Sequence, residues 1–128
     1  MGLWKRLVFT GSIWTTIVLT KPGTLAIGVN VSLAVLAPCD LTIDHVRCYA
    51  KTAPTGASII IDINKEGTTI FTTQSNRPTI PAASQKGNKS VAPDVASLAE
   101  GDTLTLDIDA VGTTIAGADL TVEIRCLQ

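Results

Sequence analysis

Long apolar runs, helical periodicity, basic clusters and sets of ligating side chains are all scarce in this chain of 128 residues, and each scarcity excludes a class of protein. No stretch approaches the ~18 apolar residues that a membrane span requires. Lys5-Arg6 followed by Leu7 to Thr20 has the outline of a signal peptide. Thr10, Gly11, Ser12, Thr15 and Thr16 interrupt it, however, and no A-x-A site precedes Lys21. The expectation is an unprocessed chain made in the cytoplasm, with no membrane partner. Ten basic and eleven acidic residues give a formal net charge of −1 and are scattered along the sequence, with no basic stripe to neutralise phosphates, so no nucleic-acid partner is expected.

Catalytic and metal-binding signals are equally thin. His45 is the single histidine, beside Asp44 and Arg47, and no nucleophile elbow of the G-x-S-x-G type is present to pair with it. A hydrogen-bonded or solvated strand histidine is expected rather than an enzyme. Cys39, Cys48 and Cys126 form an odd set without a C-x-x-C pair or a histidine at ligand spacing, so zinc is not supported. Cys48 and Cys126 read as small hydrophobes in strands. A disulfide between two of the three is left open, and nothing argues for an oxidising compartment. Asp62, Asp102, Asp107, Asp109 and Asp119 lack a D-x-D-x-D-G loop, and Asp alternating with Thr is the pattern of a solvated sheet face, so no calcium site and no cofactor is expected.

What the chain does contain is β-structure. Charged residues are 16% of the total, against ~25% in an ordinary soluble domain, so the surface is unusually apolar for a free monomer and suits a chain that lives in an assembly. Ile59, Ile61 and Ile63 alternate with Ser58, Asp62 and Asn64, the period of a half-buried strand. Asn64-Lys65-Glu66-Gly67 then reverses the chain, with Gly67 supplying a positive φ for a type I turn closed by a G1 bulge. Similar runs predict strands at Leu7–Thr10, Ile13–Thr20, Thr24–Val29, Ser32–Ala37, Leu41–Ala50, Ser58–Asn64, Thr68–Thr73, Ser90–Ala92, Thr103–Val111 and Leu120–Leu127. Ten short strands fit an all-β antiparallel sandwich, jelly-roll-like. One short helical turn is predicted in 93–101, with Asp94 as N-cap and Gly101 as stop, and 81–88 reads as an exposed loop.

Aromatic residues number five: Phe9, Phe71 and Trp14 are expected in the core, and no coplanar set of Trp and Tyr is evident for sugar stacking. Trp4 lies in an arm, 1–6, that precedes the sandwich domain, 7–128, and has no sandwich of its own to enter.

The words TAPTGAS, IIIDINKEGTTIFTTQSNRPTI and PDVASLAEGDTLTLDIDAVGTTIAGADLTVEIR, with the preceding CDLTIDHVRCYAK, resemble a β-sandwich module of structural proteins in tailed bacteriophages and prophages. The resemblance implies a virion protein, most simply a capsid decoration or cement protein that trimerises on the shell and binds the major capsid protein or other virion subunits. A tail-fibre or receptor-binding module that recognises bacterial surface glycans is the alternative. The arm is expected to dock on other virion subunits, with Leu3 and Trp4 as apolar anchors and Lys5 and Arg6 contacting acidic groups nearby; the alternative is that it folds back over an open edge of its own domain.

Overall fold

A computed structural model describes residues 13–128 and contains nine strands: β1 (Trp14–Thr24), β2 (Val35–Leu36), β3 (Leu41–Thr52), β4 (Ile59–Lys65), β5 (Thr68–Thr69), β6 (Thr79–Ile80), β7 (Ser97–Leu98), β8 (Thr103–Ala110) and β9 (Ala118–Leu127). They form two antiparallel sheets, β1-β9-β3-β7 and β2-β8-β4-β5, with β6 also paired to β4. β5 and β6 lie along the same side of β4, at its two ends, and so act as one interrupted strand. Counted that way, eight strands interleave between two sheets in the order of a jelly roll.

The two-residue period explains which faces meet. Ile59, Ile61 and Ile63 of β4, Leu104, Leu106 and Ile108 of β8, and Leu120, Val122, Ile124 and Cys126 of β9 are all at most 1% exposed and belong to a single core. β3 keeps the same logic with one slip. Leu41 and Ile43 point inward, then Val46, Cys48 and Ala50 do, because an extra residue at Asp44 shifts the β3–β9 register between Ile43 and His45.

Several sequence expectations are corrected. The Gly67 turn has positive φ at both Glu66 (+50°) and Gly67 (+80°), with Lys65 paired to Thr68. That is the signature of a two-residue type I′ turn rather than a type I turn with a G1 bulge. The run Thr68–Thr73 pairs only over Thr68–Thr69, after which Ile70 and Phe71 turn inward and are fully buried. Thr24–Val29 and Ser90–Ala92 are not regular strands, whereas β6 and β7 are strands that periodicity did not reveal.

The expected helical turn in 93–101 is absent. Val95 N–H donates to Ile70 C=O (3.0 Å), Ile43 N–H donates to Ala96 C=O (2.8 Å), and Ser97–Leu98 closes the edge of the first sheet against Leu41 and Thr42. Pairing with β3 satisfies these groups better than one isolated helical turn can. Asp94 caps a neighbouring loop instead, accepting from Thr73 N (2.7 Å) and Thr73 Oγ1 (3.1 Å). The one 3-10 turn lies at Gln74–Asn76.

Candidate functional site

His45 and the aspartates singled out from the sequence are committed to structure. His45 Nδ1 donates to Asp44 Oδ2 at 2.7 Å, and this bond, with Lys89 nearby, holds the Asp44 carboxyl below its usual range. Ser90, whose N–H donates to Val46 C=O, accepts from Val46 N–H and gives its hydroxyl to Val91 C=O, so it is spent on the backbone. The cysteines are free thiols. Burial pushes Cys48 up to about 12 and Cys126 to about 11, as expected of small core hydrophobes rather than nucleophiles.

The five aspartates do not converge on a common point. Asp107 accepts from Asn30 N–H (2.9 Å) and Asn64 Nδ2 (2.8 Å); Asp109 pairs with Arg77 Nη1 (2.6 Å). Asp102 accepts from Ala99 N–H and Asp119 from Gly23 N–H. Asp62 is buried beneath the segment after β5. Among the described residues no group of three or more His, Cys, Asp or Glu side chains could hold a metal ion.

Trp14 is not in the core. It is 46% exposed on the outer face of β1, where the Arg125 guanidinium lies 5.1 Å from its ring centroid and donates to Thr16 Oγ1 at 2.7 Å. Phe71 is in the core as expected. Phe9, the strand Leu7–Thr10 and the arm residues Leu3, Trp4, Lys5 and Arg6 lie outside the described residues.

An apolar surface lies at the edge where β1 and β2 end the two sheets. Beyond Thr24 the chain follows β8 without forming a regular strand. Gly28 and Ile108 exchange two hydrogen bonds (3.0 and 2.9 Å), Val31 N–H donates to Leu106 C=O (2.9 Å), and β2 then pairs Val35 with Leu104. Gly28, Asn30 at φ +51° and Ser32 break the strand geometry.

Leu25 and Ala37 face the core, while Ile27 (67% exposed), Val29 (75%), Leu33 (90%) and Leu36 (61%) face out. On the other sheet, among the described residues, β1 pairs with β9 alone. Between the two open edges runs a groove of about 540 Å³ whose apolar lining includes Val18, Val31, Leu33 and Val35. Edge strands with uncovered apolar side chains template association. Periodicity alone marked 24–29 and 32–37 as strands and could not show that they would lie at an outer edge, since strand order is a tertiary property.

Among the described residues no helix is long and apolar enough to cross a membrane. Comparison of the chain with protein families, with curated proteins and with solved structures finds no match.

Proposed function

We propose that this chain is a structural protein of a tailed-bacteriophage virion, a decoration or cement subunit that forms homotrimers on the shell. The observation that carries the reading is the open edge of the jelly roll. Among the described residues, nothing covers Ile27, Val29, Leu33 and Leu36, which project from a ragged strand, and β1 pairs on this side with no strand. Covering each such side chain is worth about 1–2 kcal/mol, so together they contribute about 4–8 kcal/mol towards an interface, against the entropic cost of association.

The occupant is a second copy of the same chain. Closed symmetry lets one edge be reused by every subunit, which covers the exposed backbone groups and the apolar row together and leaves no free edge to polymerise. Residues 1–12 precede β1 in the sequence, and the arm residues Leu3, Trp4, Lys5 and Arg6 are the proposed contacts to a neighbouring virion subunit. The resemblance of the runs around 59–63 and 103–125 to phage structural modules supports the rest of the reading.

The test is the copy number of the protein in purified particles of the phage that encodes it, measured against the major capsid protein. A decoration subunit is present in near-stoichiometric amount, and deleting residues 1–6 leaves a folded sandwich that no longer binds bare capsids. A copy number in the range of a tail fibre overturns the decoration role. Undiminished capsid binding by the truncated chain removes the arm from the contact.

A further inference from the structure

We propose that the outer face of the first sheet carries a binding site for an acidic saccharide, centred on Tyr49. In β3 and β9 the outward residues fall into cross-strand rows, Arg47 opposite Glu123 and Tyr49 opposite Thr121. The other flank of Tyr49 is built by the segment expected to be a free loop. Ala50 N–H donates to Gln85 C=O (2.8 Å), Gly87 N–H donates to Cys48 C=O (2.9 Å), and Gln85 Nε2 donates to Lys51 C=O (2.6 Å), so the loop is pinned against β3. Gly87 makes this approach possible, because a Cβ there would stand 2.8 Å from Thr79 C=O. The Tyr49–Lys86 bridge pair then sets Lys86 on the same face as Tyr49.

The result is a depression of about 350 Å³ walled by Arg47, Tyr49, Lys86, Thr121 and Glu123, at the small end of the size range of ligand sites. Tyr49 is 40% exposed in the middle of a sheet, where it adds nothing to the core. Its ring offers a flat apolar platform with a polar rim. Among the described residues neither Arg47 nor Lys86 lies within ion-pairing distance of a carboxylate, so both cations remain available to an outside anion.

A sugar ring bearing a carboxylate uses every one of these groups. Its C–H face stacks on Tyr49, its carboxylate meets Arg47 or Lys86, and its hydroxyls donate to Glu123 and exchange hydrogen bonds with Thr121. A neutral sugar leaves both cations idle, and a free phosphate leaves the ring idle. A nucleic-acid strand needs a longer basic track and several stacking rings, which this face lacks. The site does not depend on the assembly reading, since it lies on a sheet face and the proposed subunit contact lies on the β1/β2 edge.

The experiment titrates the full chain with an oligogalacturonate and with an oligosialic acid, following amide shifts by NMR, with a neutral maltooligosaccharide, inorganic phosphate and a single-stranded oligonucleotide as comparisons. At least one acidic saccharide shifts the amides around Tyr49, Lys86 and Thr121 and binds more tightly than any comparison ligand. Tyr49→Ala weakens it by about tenfold or more, while Tyr49→Phe retains most of it. If Tyr49→Ala alters the melting curve, Arg47→Gln and Lys86→Gln carry the test and each weakens binding by about threefold or more. No shift with either acidic saccharide, equal binding of phosphate or oligonucleotide, or binding indifferent to these substitutions overturns the site.

Discussion

At the scale of single residues, Asp62 is the most consequential polar group in the molecule. It is 6% exposed in the middle of β4, where its Oδ1 accepts from Thr69 Oγ1 (2.6 Å) and from Ile63 N–H (2.9 Å). Thr69 Oγ1 in turn accepts from Phe71 N–H at 3.0 Å, so the carboxylate fixes the point at which the chain leaves β5 and drops Ile70 and Phe71 into the core. Burial raises the Asp62 pKa above its ordinary 3.8, and it outweighs the opposing hydrogen bonds from Thr69, Gln74 and Ile63. A raised carboxylate means that the folded state holds its proton more tightly than the unfolded one. Its contribution to stability is therefore greatest below the ordinary carboxylate range and declines as pH rises through the folded pKa. Asp62→Asn keeps an acceptor oxygen for Thr69 and Ile63 and removes the buried charge. Denaturant melts of both proteins at acid and neutral pH give the check. The stability of Asp62→Asn relative to wild type rises between acid and neutral pH, and a difference that is flat or falls with pH contradicts the assignment.

At the scale of elements, the β4–β5 hairpin shows how far the chain can be read from its letters and where reading stops. Alternation of Ile59, Ile61 and Ile63, the reversal at Gly67 and the alternating strands β8 and β9 were all legible, because each depends on neighbours in sequence. The turn type was not, since it follows from the register of Lys65 with Thr68, which two strands must meet to define. Nor was β7: a Pro-Asp start and a Gly stop predict a helical turn, yet β3 offers Leu41 and Thr42 as partners and the segment pairs with them. The slip in β3 was written in the run LTIDHVRCYA, where the apolar period breaks at Asp44-His45, although only the paired β9 shows it to be a bulge. Of the candidate sites, the apolar edge and the Tyr49 depression could not be read from the sequence, because they depend on strand order and on a loop folding back. The hairpin carries its own prediction. No atom lies within 4 Å of a Cβ built at Gly67, so Gly67→Val costs about 1–2 kcal/mol through backbone strain alone. An unchanged thermal melt for that variant excludes the type I′ geometry.

At the scale of the whole molecule, the jelly roll closes a continuous core, and among the described residues the β1/β2 edge carries uncovered apolar side chains. The charge-poor composition noted in the sequence is concentrated there in consequence, with Leu33 at 90% exposure on a strand edge. A lone sandwich with such an edge is prone to open-ended association, and a closed ring of identical subunits removes that hazard. Leu33→Glu places a charge in the middle of the proposed contact without touching the core, so it separates subunits while leaving each sandwich folded. The measurement that tests the central claim most directly is the solution mass of the chain by light scattering at micromolar concentration, for wild type and for Leu33→Glu. The account predicts a three-chain particle for wild type and a single chain of unchanged melting behaviour for Leu33→Glu. A wild-type monomer at every concentration, or a trimer that Leu33→Glu leaves intact, contradicts it.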